Sequence, residues 1–224
     1  MRQPRRSAPA LLLALAITAA PIAAQQPTVT PDGEALGRSW DAAYVNPDFN
    51  LEPNAFLVAV TKDRTPGEAL DVGMGQGRNA IFLASQGWNV TGFDASQVGV
   101  TQAMEQARKS GLKLTALRQT AAAFDWGTNR WDLIAVMYFP GLRAYLPQIA
   151  RSLKPGGVVA IEAYHADAAL DRPPGPGPGV RFESNELLTL FTSFRILRYE
   201  DVRARADWGM YTTRMVRLLA QKRD

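Results

Sequence analysis

The sequence predicts an α/β fold, a parallel sheet of seven strands with helices on both faces, and three observations carry that prediction. From Glu68 onward, short apolar runs alternate with stretches of helical periodicity, the pattern of strands joined by crossover helices. One such junction, Asp71-Val72-Gly73-Met74-Gly75-Gln76-Gly77, leads from an apolar strand through three glycines into an apolar helix. The composition, 46% hydrophobic and 21% charged over 224 residues, fits one globular domain and excludes collagen-like, mucin-like and wholly disordered chains.

Residues 1–24 have the three parts of a secretory signal peptide: Arg2, Arg5 and Arg6, an eleven-residue apolar centre at 10–20, and small residues before a cleavage point after Ala24. The alternative is an uncleaved Ala-rich tail. The apolar run is shorter than the roughly 20 residues that span a bilayer, so no stable membrane span is expected after processing. Use of the signal implies an exported protein, periplasmic or secreted; otherwise the chain stays cytoplasmic. The formal charge of +4 resides mostly in this leader, and the nearly neutral remainder argues against a nucleic-acid partner. With no cysteine, disulfides, thiolate metal sites and cysteine nucleophiles are excluded, and the single histidine, His165, argues against a histidine zinc cage. No metal site is expected.

Residues 25–67, with Pro27, Pro31, Pro47, Pro53 and Pro66, read as a loose lead-in or cap with one or two short helices. Its aromatics, Trp40, Tyr44, Phe49 and Phe56, need burial. The domain proper is expected over 68–224, with strands at 69–72, 89–93, 113–117, 133–138, 158–162, 194–199 and 213–220. Ser96 is placed to cap a helix carrying Val100, Ala103, Met104 and Ala107, all read as core, which Gly111 ends. Leu142, Tyr145, Leu146, Ile149 and Leu153 form a second helical stripe, stopped by Lys154-Pro155-Gly156-Gly157. A third starts near Ser184 or Asn185 and carries Leu187, Leu188 and Phe191. The Gly/Pro-rich stretch at 172–179 is a loop and a candidate lid.

The glycine junction carries the chemistry. Glycines there let the chain turn tightly and let a ligand lie against main-chain N–H groups without meeting a Cβ atom. Asp94 follows 21 residues after Gly73, at the end of the next strand, where a carboxylate can accept both hydroxyl protons of a ribose. The pair describes a site for an adenosine-containing cofactor, either a nicotinamide dinucleotide or S-adenosylmethionine. In the dinucleotide spacing G-x-G-x-x-G the third glycine falls where this chain has Arg78, which disfavours a nicotinamide-dependent oxidoreductase.

The observed G-x-G-x-G with Asp71 two positions before it, the Asp94 and Asp132 strands, and Leu153-Lys154-Pro155-Gly156-Gly157 resemble the class I S-adenosylmethionine-dependent methyltransferases. Within them, the segment 70–96 with Gly77-Arg78-Asn79 resembles the tellurite-resistance-type branch. The resemblance implies a Rossmann-like doubly wound sheet of seven strands, mostly parallel with an antiparallel last strand, and methyl transfer from S-adenosyl-L-methionine to a small-molecule acceptor. By position it implies that Asp71, Gly73, Gly75 and Gly77 hold the methionine part and Asp94 the ribose. Arg78 either orients the turn or meets the cofactor carboxylate. No acid follows the third strand where many relatives have one near adenine; either Asp125, with Phe124 and Trp126, fills that role or adenine is held by apolar contact and main-chain groups.

Methyl transfer from a sulfonium needs alignment and exclusion of water rather than a dedicated nucleophile. Tyr138 and Phe139, past the fourth strand, are candidate acceptor walls, with Tyr138 counted among the catalytic candidates. His165, past the fifth strand beside Glu162 and Tyr164, is the candidate base for a protonated acceptor. A soft sulfur, selenium or tellurium anion would need no base. Trp40 and Tyr44, with Asp41, are candidates for a cap over the cofactor, the alternative being that they pack on the sheet edge, and Trp208 and Tyr211, between the last two strands, have the same two readings. A non-catalytic adenosine-binding scaffold is the competing reading, because an export signal conflicts with a cofactor made in the cytoplasm.

Overall fold

The computed structural model describes residues 31–45, 50–168 and 181–223. Residues 1–24, read above as a signal peptide, Phe49 and the Gly/Pro-rich stretch at 172–179 lie outside the described residues. Eight strands form one sheet: β1 (Glu68–Val72), β2 (Asn89–Asp94), β3 (Thr115–Arg118), β4 (Trp131–Met137), β5 (Leu153–His165), β6 (Arg181–Phe182), β7 (Phe194–Ala206) and β8 (Tyr211–Lys222). The order is β3-β2-β1-β4-β5-β8-β7, with β6 pairing on β5. Strands β1 to β5 are mutually parallel, and β8 runs antiparallel between β5 and β7. The sheet is therefore mostly parallel with an antiparallel last strand, as expected. The count of seven is corrected to eight, because β6 has two residues and two residues carry no readable alternation.

Helices α1 (Pro31–Val45), α2 (Ala55–Thr61), α3 (Arg78–Ser85), α4 (Gln97–Lys109), α5 (Leu146–Ser152) and α6 (Glu186–Leu190) surround the sheet. Two apolar clusters fill its faces. One gathers Phe93, Trp131, Ile134, Val159 and Phe191, and the other Leu57, Leu83, Leu133, Ala160 and Met215. Burying each large side chain stabilises the fold by about 1.5–3 kcal/mol.

The caps follow the sequence. Ser96 accepts from the Gly99 amide at 2.9 Å and starts α4, and Gly111 ends the turn after it in the left-handed region. Met104 departs from expectation: α4 buries Val100, Ala103 and Ala107, and Met104, one step around the helix from Ala103, is 55% exposed. The stripe from Leu142 is not one α-helix either. A 3-10 turn, Leu142–Tyr145, precedes α5, whose second residue, Pro147, supplies no amide to the turn before it. Asn185 precedes α6 with φ of 62° and makes no side-chain cap.

The lead-in is more ordered than its prolines suggest, since α1 has 15 residues. It is fastened where the site will be. Asp41 accepts from the Ser96 hydroxyl at 2.6 Å and the Val98 amide at 3.0 Å, and Arg118 reaches Glu34 at 2.7 Å. These contacts tie α1 across the C-terminal ends of β2 and β3.

Candidate active site

Successive parallel strands leave their C-terminal ends on one edge of the sheet, and the loops leaving β1, β2 and β4 converge there. Past β1, Gly73, Gly75 and Gly77 have φ of 65°, 53° and 80°. Side chains rarely adopt these angles, and space is closed to them as well. A Cβ on Gly75 would sit 2.5 Å from the Tyr44 hydroxyl, and one on Gly77 would sit 2.7 Å from Ala103 Cβ. Gly77 thus serves the packing of α3 against α4, whereas Gly75 faces α1 across the site.

Asp94 ends β2 and is 7% exposed. Its Oδ2 accepts from the Gly75 amide at 2.9 Å and its Oδ1 from the Ser96 amide at 2.8 Å. One carboxylate therefore fixes the glycine turn relative to the start of α4, and each oxygen keeps a second lone pair for a ligand. Burial raises its pKa against the lowering effect of those two amides. Asp71 lies deeper, 1% exposed. The Ala80 amide meets this carboxylate, but Oδ2 has no hydrogen-bond partner among the described residues. Burial pushes the Asp71 carboxyl up to about 7, opposed by nearby Arg78.

A cavity of about 260 Å³ opens beside these groups. Its lining includes Gly73, Asp94, Ala95 and Gln119, the rings of Tyr138, Phe139 and Tyr145, and the indoles of Trp40 and Trp208. A smaller chamber of about 40 Å³ shares Tyr44, Gly73 and Trp208 with it and adds Asn50, Gln76 and Arg78. Arg78 is engaged on two sides, by Asp207 at 3.0 Å and the Glu52 carbonyl at 2.8 Å.

Tyr138 leaves β4 with φ of 57°, a left-handed backbone that costs an aromatic residue about 1–2 kcal/mol. Its hydroxyl donates to Glu162 Oε1 and lies 3.2 Å from Asp207 Oδ1. Asn54 donates to both acids, to Glu162 at 2.7 Å and Asp207 at 2.9 Å, and Arg217 covers the far oxygen of Glu162. Burial, with Glu162 and Asp207 close by, holds the Tyr138 phenol well above its ordinary range. The network also fixes the β7–β8 turn, because Asp207 anchors it and Trp208, next in the chain, lies over Tyr138 with ring centroids 6.0 Å apart.

Residues 69–157 match the family model described as a methyltransferase domain. That stretch carries a methyltransferase domain. Within it, 29% of 106 residues are identical to a ubiquinone biosynthesis O-methyltransferase of Rickettsia conorii, spanning 46% of this chain and 36% of that protein. A probable S-adenosyl-L-methionine-dependent methyltransferase TehB of Haemophilus influenzae is 26% identical over 148 residues, spanning 65% of this chain and 52% of that one. The chain thus spans about half or less of the length of these curated relatives. A solved structure from work on the conversion of a disulfide bond into a thioacetal group during echinomycin biosynthesis shares the fold. Its TM-score is 0.68 at 21% identity, over 84% of this chain and 92% of that one.

The methyltransferase domain brings together Asp71, Gly73, Gly75, Arg78, Asp94 and Tyr138, with Trp40 and Tyr44 of the lead-in. Two expected site residues lie elsewhere. Asp125 is exposed, its Oδ1 closing a local turn on the Gly127 amide at 3.0 Å, while Phe124 and Trp126 pack on Phe93 in the core. Gln119 and Thr120 line the cavity in that region instead. His165 is 2% exposed and takes no part in the cavity wall. Its Nδ1 accepts from the Asp167 amide at 3.0 Å, so Nε2 carries the proton toward Ser184 Oγ at 3.1 Å. Strand alternation turns His165 away from Glu162. Ala160 and Tyr164 face one cluster while Ile161 and Ala163 face the other, and His165, three positions past Glu162, falls on the face opposite to it. Asp207 and Asn54 were missed by sequence reasoning, and neither stands in a motif that would signal it.

Proposed function

We propose that the protein transfers a methyl group from S-adenosylmethionine to a small-molecule acceptor. The observation that carries this reading is the Asp71 Oδ2 atom, buried and without a partner among the described residues beside a glycine turn that excludes side chains. An orphaned buried carboxylate oxygen is costly unless a ligand donor meets it, and an amino-acid ammonium is such a donor. The residues present therefore fit the cofactor: Asp71 for the ammonium, the glycine turn for the methionine chain, and Asp94 for the ribose hydroxyls. Bound there, S-adenosylmethionine supplies an electrophilic methyl group.

The chain's own part is to orient, to enclose and to receive a proton. Trp40 and Trp208 line the cavity and exclude water from the acceptor. The Tyr138 hydroxyl, which donates to Glu162, serves on the acceptor side as a relay: it takes up the acceptor's proton as its own passes to the Glu162 carboxylate, the role first given to His165. Arg78 acts as a positioning residue, holding the start of α3 to the Asp207 turn.

This assignment gives a pH dependence. In the unligated protein the neutral Asp71 carboxyl is favoured, so its contribution to stability is complete below about 3.8 and lost as pH rises through about 7. The ammonium needs the ionised form. S-adenosylmethionine affinity should therefore fall about ten-fold per pH unit below 7, and Asp71→Asn should weaken binding and flatten that slope, read by calorimetry across pH 5 to 8. An unchanged slope in the variant would remove Asp71 from the ammonium site.

Tyr138→Phe should lower kcat about 100-fold for an acceptor that must lose a proton, with little change in KM. Formation of S-adenosylhomocysteine is the readout. Equal kcat in the variant would exclude the Tyr138 and Glu162 pair from proton transfer.

A further inference from the structure

We infer that the methyl acceptor is a flat aromatic molecule that carries no negative charge when it binds. The inference rests on the methyl-transfer reading and concerns the opposite end of the same cavity. The ends of β1, β2 and β3 supply the cofactor side, so the acceptor side is built by the chain just past β4, namely Tyr138, Phe139 and Tyr145, with Trp40 and Trp208. These rings fall into two groups, Trp40, Trp208 and Tyr138 in one and Phe139 with Tyr145 in the other. Trp208 lies nearly parallel to Tyr138, at 27°, and meets Trp40 at 61° with centroids 6.2 Å apart; Phe139 and Tyr145 are 6.1 Å apart. Such walls favour planar aromatic ligands, and their faces attract cations while repelling anions.

Charge sharpens the selection. Among the described residues lining the cavity, the one charged side chain is Asp94, an acid. The nearby cations are already engaged, Arg78 by Asp207 and Arg217 by Glu162 and Glu200. Behind Tyr138 stand Glu162 and Asp207, two more acids. An oxyanion or carboxylate entering this space would lose its water and meet no cationic side chain of the wall, a large penalty. The soft-anion acceptors that the sequence alone left open are therefore disfavoured by the wall itself.

In the reaction, a lone pair on a ring nitrogen, amine or hydroxyl oxygen of the acceptor forms the bond to the methyl carbon. The carbon–sulfur bond breaks with its electron pair left on sulfur; where the attacking atom carries a proton, that proton passes to the Tyr138 oxygen as the phenol's own proton moves to Glu162.

Calorimetry on the full chain saturated with S-adenosylhomocysteine tests this with four probes: quinoline, N-methylquinolinium, 2-naphthoate and selenite. Quinoline and N-methylquinolinium should bind at least ten-fold more tightly than 2-naphthoate, selenite should give no heat, and Trp208→Leu should weaken quinoline at least ten-fold. Binding of 2-naphthoate or selenite as tight as that of quinoline, or no binding of any probe to the saturated protein, would overturn the acceptor class alone. Failure of S-adenosylhomocysteine itself to bind would overturn the methyl-transfer reading, and this inference with it.

Discussion

Replacing Gly75 with valine is expected to abolish S-adenosylmethionine binding, lowering affinity at least 100-fold, while far-ultraviolet circular dichroism still reports a folded sheet. Two effects add. At φ of 53° a β-branched residue is strained, at a cost of about 1–2 kcal/mol or more. Its Cβ would also lie 2.5 Å from the Tyr44 hydroxyl and 3.0 Å from Tyr44 Cζ, so either Tyr44 or the turn must move. Tyr44, in the last turn of α1, is 8% exposed, and Gly99 confines its other edge, where an added Cβ would sit 3.2 Å away. The movement therefore falls on the turn that would cradle the methionine chain. Gly75→Ala keeps the collision and drops the branching, so it should lose less affinity. Wild-type affinity in both variants would show that the turn does not contact the cofactor.

Asp94→Ala should cost both stability and binding. Removing the carboxylate leaves the Gly75 and Ser96 amides without acceptors in a buried place, at about 1–3 kcal/mol each. The same change removes the proposed ribose contacts, and charged hydrogen bonds of that kind are worth about 1.5–3 kcal/mol apiece. Affinity should fall 100-fold or more, and thermal unfolding should shift down by several degrees. Asp94→Asn separates the two effects: one amide oxygen can still serve a main-chain N–H, so it should recover stability more than affinity. Loss of stability with undiminished affinity in either variant would confine Asp94 to a structural role.

The parts of this site that the sequence made legible are those that local rules govern. Gly73, Gly75 and Asp94 sit where a strand ends, and strand ends are marked by short apolar runs meeting glycine or a cap such as Ser96. The antiparallel β8 followed from family resemblance, since its alternation alone does not fix direction. His165 lies at the expected end of β5 but is buried outside the cavity wall, on the face opposite Glu162, because an uncertain strand end makes the side-chain parity unreadable. Met104 failed in a similar way: the i+4 spacing from Val100 is correct, yet the packed face of α4 is narrow and centred on Val100, Ala103 and Ala107. Asp207 and Asn54 meet across 153 positions of sequence, and only the folded β7–β8 turn brings them to Tyr138. No local pattern encodes such a contact. Likewise, the left-handed backbone of Tyr138 breaks the rule that reserves that region for glycine, and strand propensity gives no sign of it.

The central claim is that the glycine turn, with Asp71 below it and Asp94 beside it, holds S-adenosylmethionine. Isothermal titration of the purified chain measures this most directly. The prediction is one-to-one binding of S-adenosylmethionine, displaced by S-adenosylhomocysteine and indifferent to NAD; no heat with S-adenosylmethionine, or tighter binding of NAD, would contradict it.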